Sequence, residues 1–124
     1  AAAITNFEML ERDEGAFYSR IDDLQSRLMS GIREIGLRRG QPVFLQGPRG
    51  VFHMNFAADL EVAYTPDELM AGADWEKLAK FNEAVLGERV LIGGGSRFVV
   101  SAALNESDID DALDRIDVAM SALA

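Results

Sequence analysis

Few residues in this chain have a type and spacing that suit chemistry. The most distinctive run is Gly93-Gly94-Gly95-Ser96-Arg97. Three glycines let a backbone approach a ligand closely, and an Arg directly after them is suited to bidentate recognition of a carboxylate. The run lacks the Lys-Ser/Thr ending of a phosphate-binding loop and does not open a helix, so a nucleotide site is not expected. Its other reading is a turn between two strands. On the first reading Gly94, Gly95, Ser96 and Arg97 are the candidate substrate-binding residues; on the second Arg97 is a surface strand residue.

Other candidates carry less. His53 is the only histidine, which rules out a histidine-based triad that needs a partner of its kind or a multi-histidine metal site. We read it as a structural strand residue. Asp108, Asp110, Asp111 and Asp114 are dense, but they fall on a predicted helix without the glycine turn that calcium loops use. Lys77 and Lys80, the only lysines, fall on a predicted surface helix, and nothing marks either as a Schiff-base lysine. No self-contained catalytic set is present and no metal site is expected.

The elements that must position the glycine run can be read from periodicity. Residues 1–12 suggest a short helix with Ile4, Phe7 and Leu10 spaced by three. Asp13 is the expected cap of a longer helix carrying Phe17, Ile21, Leu24, Leu28, Ile32 and Ile35, ended by Gly40 and Pro42. Arg20, Arg27 and Arg33 are expected on its solvated face. Arg38 and Arg39 suit the negative end of its dipole. Two strands, 43–46 and 51–56, flank the turn Gly47-Pro48-Arg49-Gly50, with Phe52, Met54 and Phe56 on one face. Residues 61–64 suit an edge strand. Thr65-Pro66-Asp67-Glu68 starts a short helix that ends before Gly72. Asp74 caps a helix that turns Leu78, Phe81 and Val85 inward and ends at Gly87. Residues 89–92 and 97–101 are expected strands around the glycine turn. Asn105 with Asp108 caps a final helix whose stripe is Ile109, Leu113, Ile116, Met120 and Leu123, with Asp111 and Arg115 paired across one turn. The expected fold class is α+β: a small antiparallel or mixed sheet with helices packed on one face.

Composition narrows the function further. The chain has 124 residues, 48% hydrophobic, enough for one compact core. Its formal net charge of −9 disfavours nucleic acid and anionic lipid as partners. No apolar run reaches the roughly 20 residues of a membrane span. There is no cysteine, so a cytoplasmic setting is expected. The start Ala1-Ala2-Ala3-Ile4 has no initiator Met and reads as the interior of a helix, which suggests a fragment.

The run from Gly87 to Asp110 resembles the closing segment of class III aminotransferases. The likeness lies in the loop Ile92-Gly93-Gly94-Gly95-Ser96, the strand end Val100-Ser101-Ala102-Ala103, and the capped helix start Asn105-Glu106-Ser107-Asp108-Ile109-Asp110. The opening Ala1 to Leu10 resembles the helix that leaves the large domain in that family. The turn Gly47-Pro48-Arg49-Gly50-Val51-Phe52 resembles its hairpin. The branch it looks most like holds glutamate-1-semialdehyde aminomutase and D-phenylglycine aminotransferase. Aminomutases usually carry a Glu near Ser96, and many relatives carry His where Leu104 stands. Their absence makes a plain transaminase the first reading and an aminomutase the alternative.

The resemblance implies residues 1–12 as the end of a linking helix and 13–124 as a C-terminal small domain of a homodimeric enzyme. That enzyme uses pyridoxal 5′-phosphate (PLP), which does the carbanion chemistry while the protein positions it. The Schiff-base lysine and phosphate-binding groups belong to a large domain upstream. This chain alone is therefore expected to be inactive and to bind no cofactor. The small domain supplies one wall of the site for a small amino or keto acid, with Arg97 at about the place of a carboxylate-binding Arg. Two further readings have other origins: a free-standing acidic module that binds a protein, or one half of a split enzyme. Ile4, Phe7 and Leu10 are expected to form an exposed apolar patch.

Overall fold

The computed structural model describes residues 15–57, 64–90, 92–93 and 97–123. The elements expected over 1–12 and 61–64, and the patch at Ile4, Phe7 and Leu10, lie outside these, apart from Tyr64, which is in a bend. Seven elements follow in chain order. They are α1 (Ala16–Arg38), β1 (Phe44–Gln46), β2 (Val51–Asn55), α2 (Pro66–Gly72), α3 (Trp75–Gly87), β3 (Arg97–Val99) and α4 (Glu106–Ser121).

The strands form one antiparallel sheet in the order β1-β2-β3. Leu45 pairs with Met54 and Phe52 with Phe98, all four buried. Strand alternation puts these side chains on one face. There they join the buried stripes of α1, α3 and α4 in a single core around Ile32, Phe52, Met54, Phe81, Val85 and Ile116. Full burial of a side chain of this size contributes roughly 1.5–3 kcal/mol. The Phe52 and Phe98 rings stack at 5.0 Å, and Phe56 meets Phe81 edge-on at 5.6 Å. The fold is α+β, with the sheet antiparallel.

Local chemistry explains most element ends. Thr65 and Asn105 each make a complete capping box, with Glu68 and Asp108 respectively. Asp74 accepts from the Lys77 N–H, while its own N–H donates to the Phe56 carbonyl at 2.9 Å, tying α3 to the end of β2. Helix α1 ends with Gly40 at φ 67°. The Gly40 N–H donates to Leu37 and the Gln41 N–H to Gly36. This is the paired bonding of a Schellman motif, which favours glycine at that position.

Three expectations are corrected. The cap of α1 is Gly15 at φ 85°, with no side-chain cap bond, rather than Asp13. Glycine reaches that conformation without strain, and its carbonyl takes the Ser19 N–H. Helix α3 ends at Gly87, as expected. Past it, Arg89 takes the left-handed conformation at φ 63°. Its N–H donates to Leu86 and the Val90 N–H to Val85, so these residues close the helix instead of extending. Among the described residues no strand therefore forms over 89–92. Gly93 makes only an isolated bridge to Arg97, and the strand expected over 97–101 is confined to Arg97–Val99.

Candidate functional site

The sheet has a second face that is only partly covered: Phe44 and Asn55 are buried at one end of it, beside the start of α2, and the rest is exposed. Register places Gln46, His53 and Arg97 in one row across all three strands, and each is exposed. Val51 and Val99 pair beside them, Val99 being 65% exposed. Arg97 is thus the one candidate substrate-binding residue that the structure describes. Gly94, Gly95 and Ser96 lie outside the described residues. The two ends of their loop are joined, since Gly93 N–H donates to Arg97 O at 2.8 Å and Arg97 N–H to Gly93 O at 3.3 Å. The residues on either side of the run, Gly93 and Arg97, are thus bonded to each other.

The row depends on how β2 is held. Its turn is clasped by α1. Gln25, buried inside the α1 stripe, donates from Nε2 to the Pro48 carbonyl at 3.0 Å and accepts the Gly50 N–H on Oε1 at 2.6 Å. Arg49 forks onto Asp22 at 2.7 and 3.0 Å and lies 4.9 Å from the centre of the Tyr18 ring. A Cβ at Gly47 would meet the Val51 carbonyl and the Phe52 backbone, so only glycine admits this closeness.

Beside the row is a hollow of about 290 Å³. Gln46 and His53 form one side, and Tyr64, Pro66 and Leu69 the other, with buried Phe44 among its lining. The Glu68 side chain accepts the Tyr64 N–H at 2.6 Å and the Thr65 N–H at 3.2 Å. The capping box that starts α2 therefore also fixes the wall of the hollow. A larger hollow, about 420 Å³, lies between the end of α3 and α4. Its polar groups are mostly committed: Asp108 to its capping box, Asp111 to Arg115 at 3.0 Å, and Arg115 also to the Glu88 carbonyl.

Most of the remaining cations have structural partners. Arg27 forks onto Asp110 at 2.9 Å twice, and Arg38 and Arg39 both reach Asp117 at 2.9 Å. Arg20 donates to the Leu104 carbonyl. Arg20 and Arg27 therefore bind α4 and the loop before it rather than only facing solvent, and Arg38 and Arg39 do more than answer a dipole. Lys77 pairs with Asp74 and Lys80 with Glu76. Among the described residues there is no cluster suited to a metal ion, and no helix is long and apolar enough to cross a membrane.

His53 was read from the sequence as structural. The alternation that turned Phe52 and Met54 inward also turned it outward. Its placement opposite Arg97 required the register of two strands far apart in the chain.

No protein-family model matches the sequence, and no curated protein matches it. Solved structures do. An omega-transaminase from Sphaerobacter thermophilus superposes with a TM-score of 0.73 at 17% identity, over 92% of this chain and 26% of that one. A Bacillus anthracis aminotransferase superposes with a TM-score of 0.68 at 16% identity, over 97% of this chain and 27% of that one. The chain has the fold of a transaminase segment. It spans about a quarter of the length of these two proteins.

Proposed function

We propose that this chain is the C-terminal small domain of a PLP-dependent class III aminotransferase. Residues 13–124 form the domain and 1–12 the end of the helix that links it to a large domain. The observation that carries this is the shared fold with two transaminases over nearly the whole chain. The sequence features from Gly87 to Asp110 support the same family. A plain transaminase of the D-phenylglycine aminotransferase type is preferred, with glutamate-1-semialdehyde-type amino exchange as the alternative. A homodimer in the cytoplasm is the accompanying expectation.

The residues of this chain do not fit PLP. Both lysines, Lys77 and Lys80, are engaged in ion pairs on α3. The row on the open sheet face supplies one Arg and one His, too little for a cofactor phosphate and ring together. The cofactor, and the Schiff-base lysine with it, therefore belong to the large domain. What this chain contributes is a sheet face presenting Arg97 to the carboxylate of a small amino or keto acid, with Gly94, Gly95 and Ser96 as the further substrate-binding residues proposed from the sequence.

The test is the longer protein. Its reading frame upstream of Ala1 should encode a lysine-bearing domain, and the purified enzyme should transfer amino groups. Arg97→Ala should raise KM for the amino donor about tenfold or more with a smaller change in kcat. An unchanged KM for every donor tried would remove Arg97 from the site.

A further inference from the structure

His53 and Arg97 are directly opposed across β2 and β3. Opposed residues on one sheet face bring their side chains within reach of a single ligand. Among the described residues neither His53 nor Arg97 has an ion-pair partner; Arg20, Arg33 and Arg89 have none either, but of these cations Arg97 alone lies on this sheet face opposite a histidine. In a chain of net charge −9, an unmatched guanidinium facing an imidazole is a local seat for an anion. The hollow walled by Tyr64, Pro66 and Leu69 opens from the other side of the same His53.

We infer that this face binds a small monocarboxylate with an apolar body, held by Arg97 and His53 at its charged end and by the hollow at its apolar end. His53 is thereby a second anion contact and Leu69 with Tyr64 a specificity wall. Neighbouring strands lie about 4.8 Å apart, so the charged seat and the hollow are within the span of one small molecule. The Arg97 fork suits a carboxylate. Glu68, fixed at the backbone of Tyr64 and Thr65, places a negative charge by the hollow and repels a second carboxylate there. Its use in amino transfer rests on the proposed function, but the binding itself does not.

The experiment is a titration of the ¹⁵N-labelled 124-residue chain followed by NMR, with 3-phenylpropanoate, acetate and 3-phenylpropan-1-ol as probes. The acid with the ring should shift resonances of Arg97, His53, Tyr64 and Leu69 together. It should bind at least tenfold more tightly than acetate or the alcohol. Arg97→Gln should weaken both acids at least tenfold, and His53→Gln should weaken both by a smaller factor. Leu69→Gln should bring 3-phenylpropanoate toward acetate and leave acetate unchanged. Equal affinity for the three probes, an unaffected Arg97→Gln, or shifts confined to other parts of the chain would overturn the inference. A longer protein without amino transfer would reject the transaminase reading alone, because these shifts are read without catalysis.

Discussion

Arg89 adopts φ 63° where helices usually end on glycine. A side chain in the left-handed region costs roughly 1–2 kcal/mol. The guanidinium recovers nothing, since it has no hydrogen bond or ion pair among the described residues. Arg89→Gly should therefore stabilise the chain by about 0.5–1 kcal/mol, after the entropy glycine adds to the unfolded state. A urea midpoint that fails to rise would contradict this. The same residue explains why the stretch after α3 was misread. Val90-Leu91-Ile92 has strand composition, and nothing in an Arg signals a left-handed turn. By contrast Thr65, Asp74 and Asn105 were legible as caps, because each bonds a backbone N–H three residues away.

Among the elements, the join between α1 and the β1–β2 turn has the most influence on the open sheet face. Both ends of the Gln25 amide are used, on Pro48 and Gly50. Gln25→Leu would fill the space but leave a half-buried N–H and carbonyl unpaired. The expected cost is about 1–3 kcal/mol, measurable by thermal unfolding. The amide resonances of Gly50 and His53 should move, while those of α3 should not. A neutral effect on stability would mean that water satisfies the turn. The hairpin itself was legible from Gly47-Pro48-Arg49-Gly50. Its clasp was not, because Gln25 and the turn are far apart in the chain and meet only through the packing of α1 on the hairpin.

At the scale of the molecule, α1 and α4 are joined by their buried stripes and by ion pairs along the rim. The hydrogen bond from Arg27 holds the Asp110 carboxyl below its ordinary value, and that from Arg39 does the same for Asp117. Arg49 acts likewise on Asp22, joining α1 to the hairpin. A carboxyl lowered in the folded state binds protons more readily when unfolded. Its stabilising effect is complete above the unfolded value, near 3.8, and is lost as pH falls through the lowered folded values. Stability should therefore be level above about pH 5 and decline below pH 4. The groups are exposed, so the decline should be gentle and smaller in high salt. A steep loss already at pH 6 would point to another group.

The starts of α2, α3 and α4, the hairpin turn, the inward faces of strands and helices, and the α+β class followed from contacts a few residues apart. Capping, turn chemistry and side-chain period are local, so the amino-acid order states them directly. The opposition of His53 and Arg97, the hollow against Tyr64 and Leu69, and the pairing of Arg27, Arg38 and Arg39 with α4 were decided by the tertiary structure. Each depends on strand register or helix packing between segments far apart in the chain, and a one-residue shift in register would turn His53 and Arg97 to opposite faces.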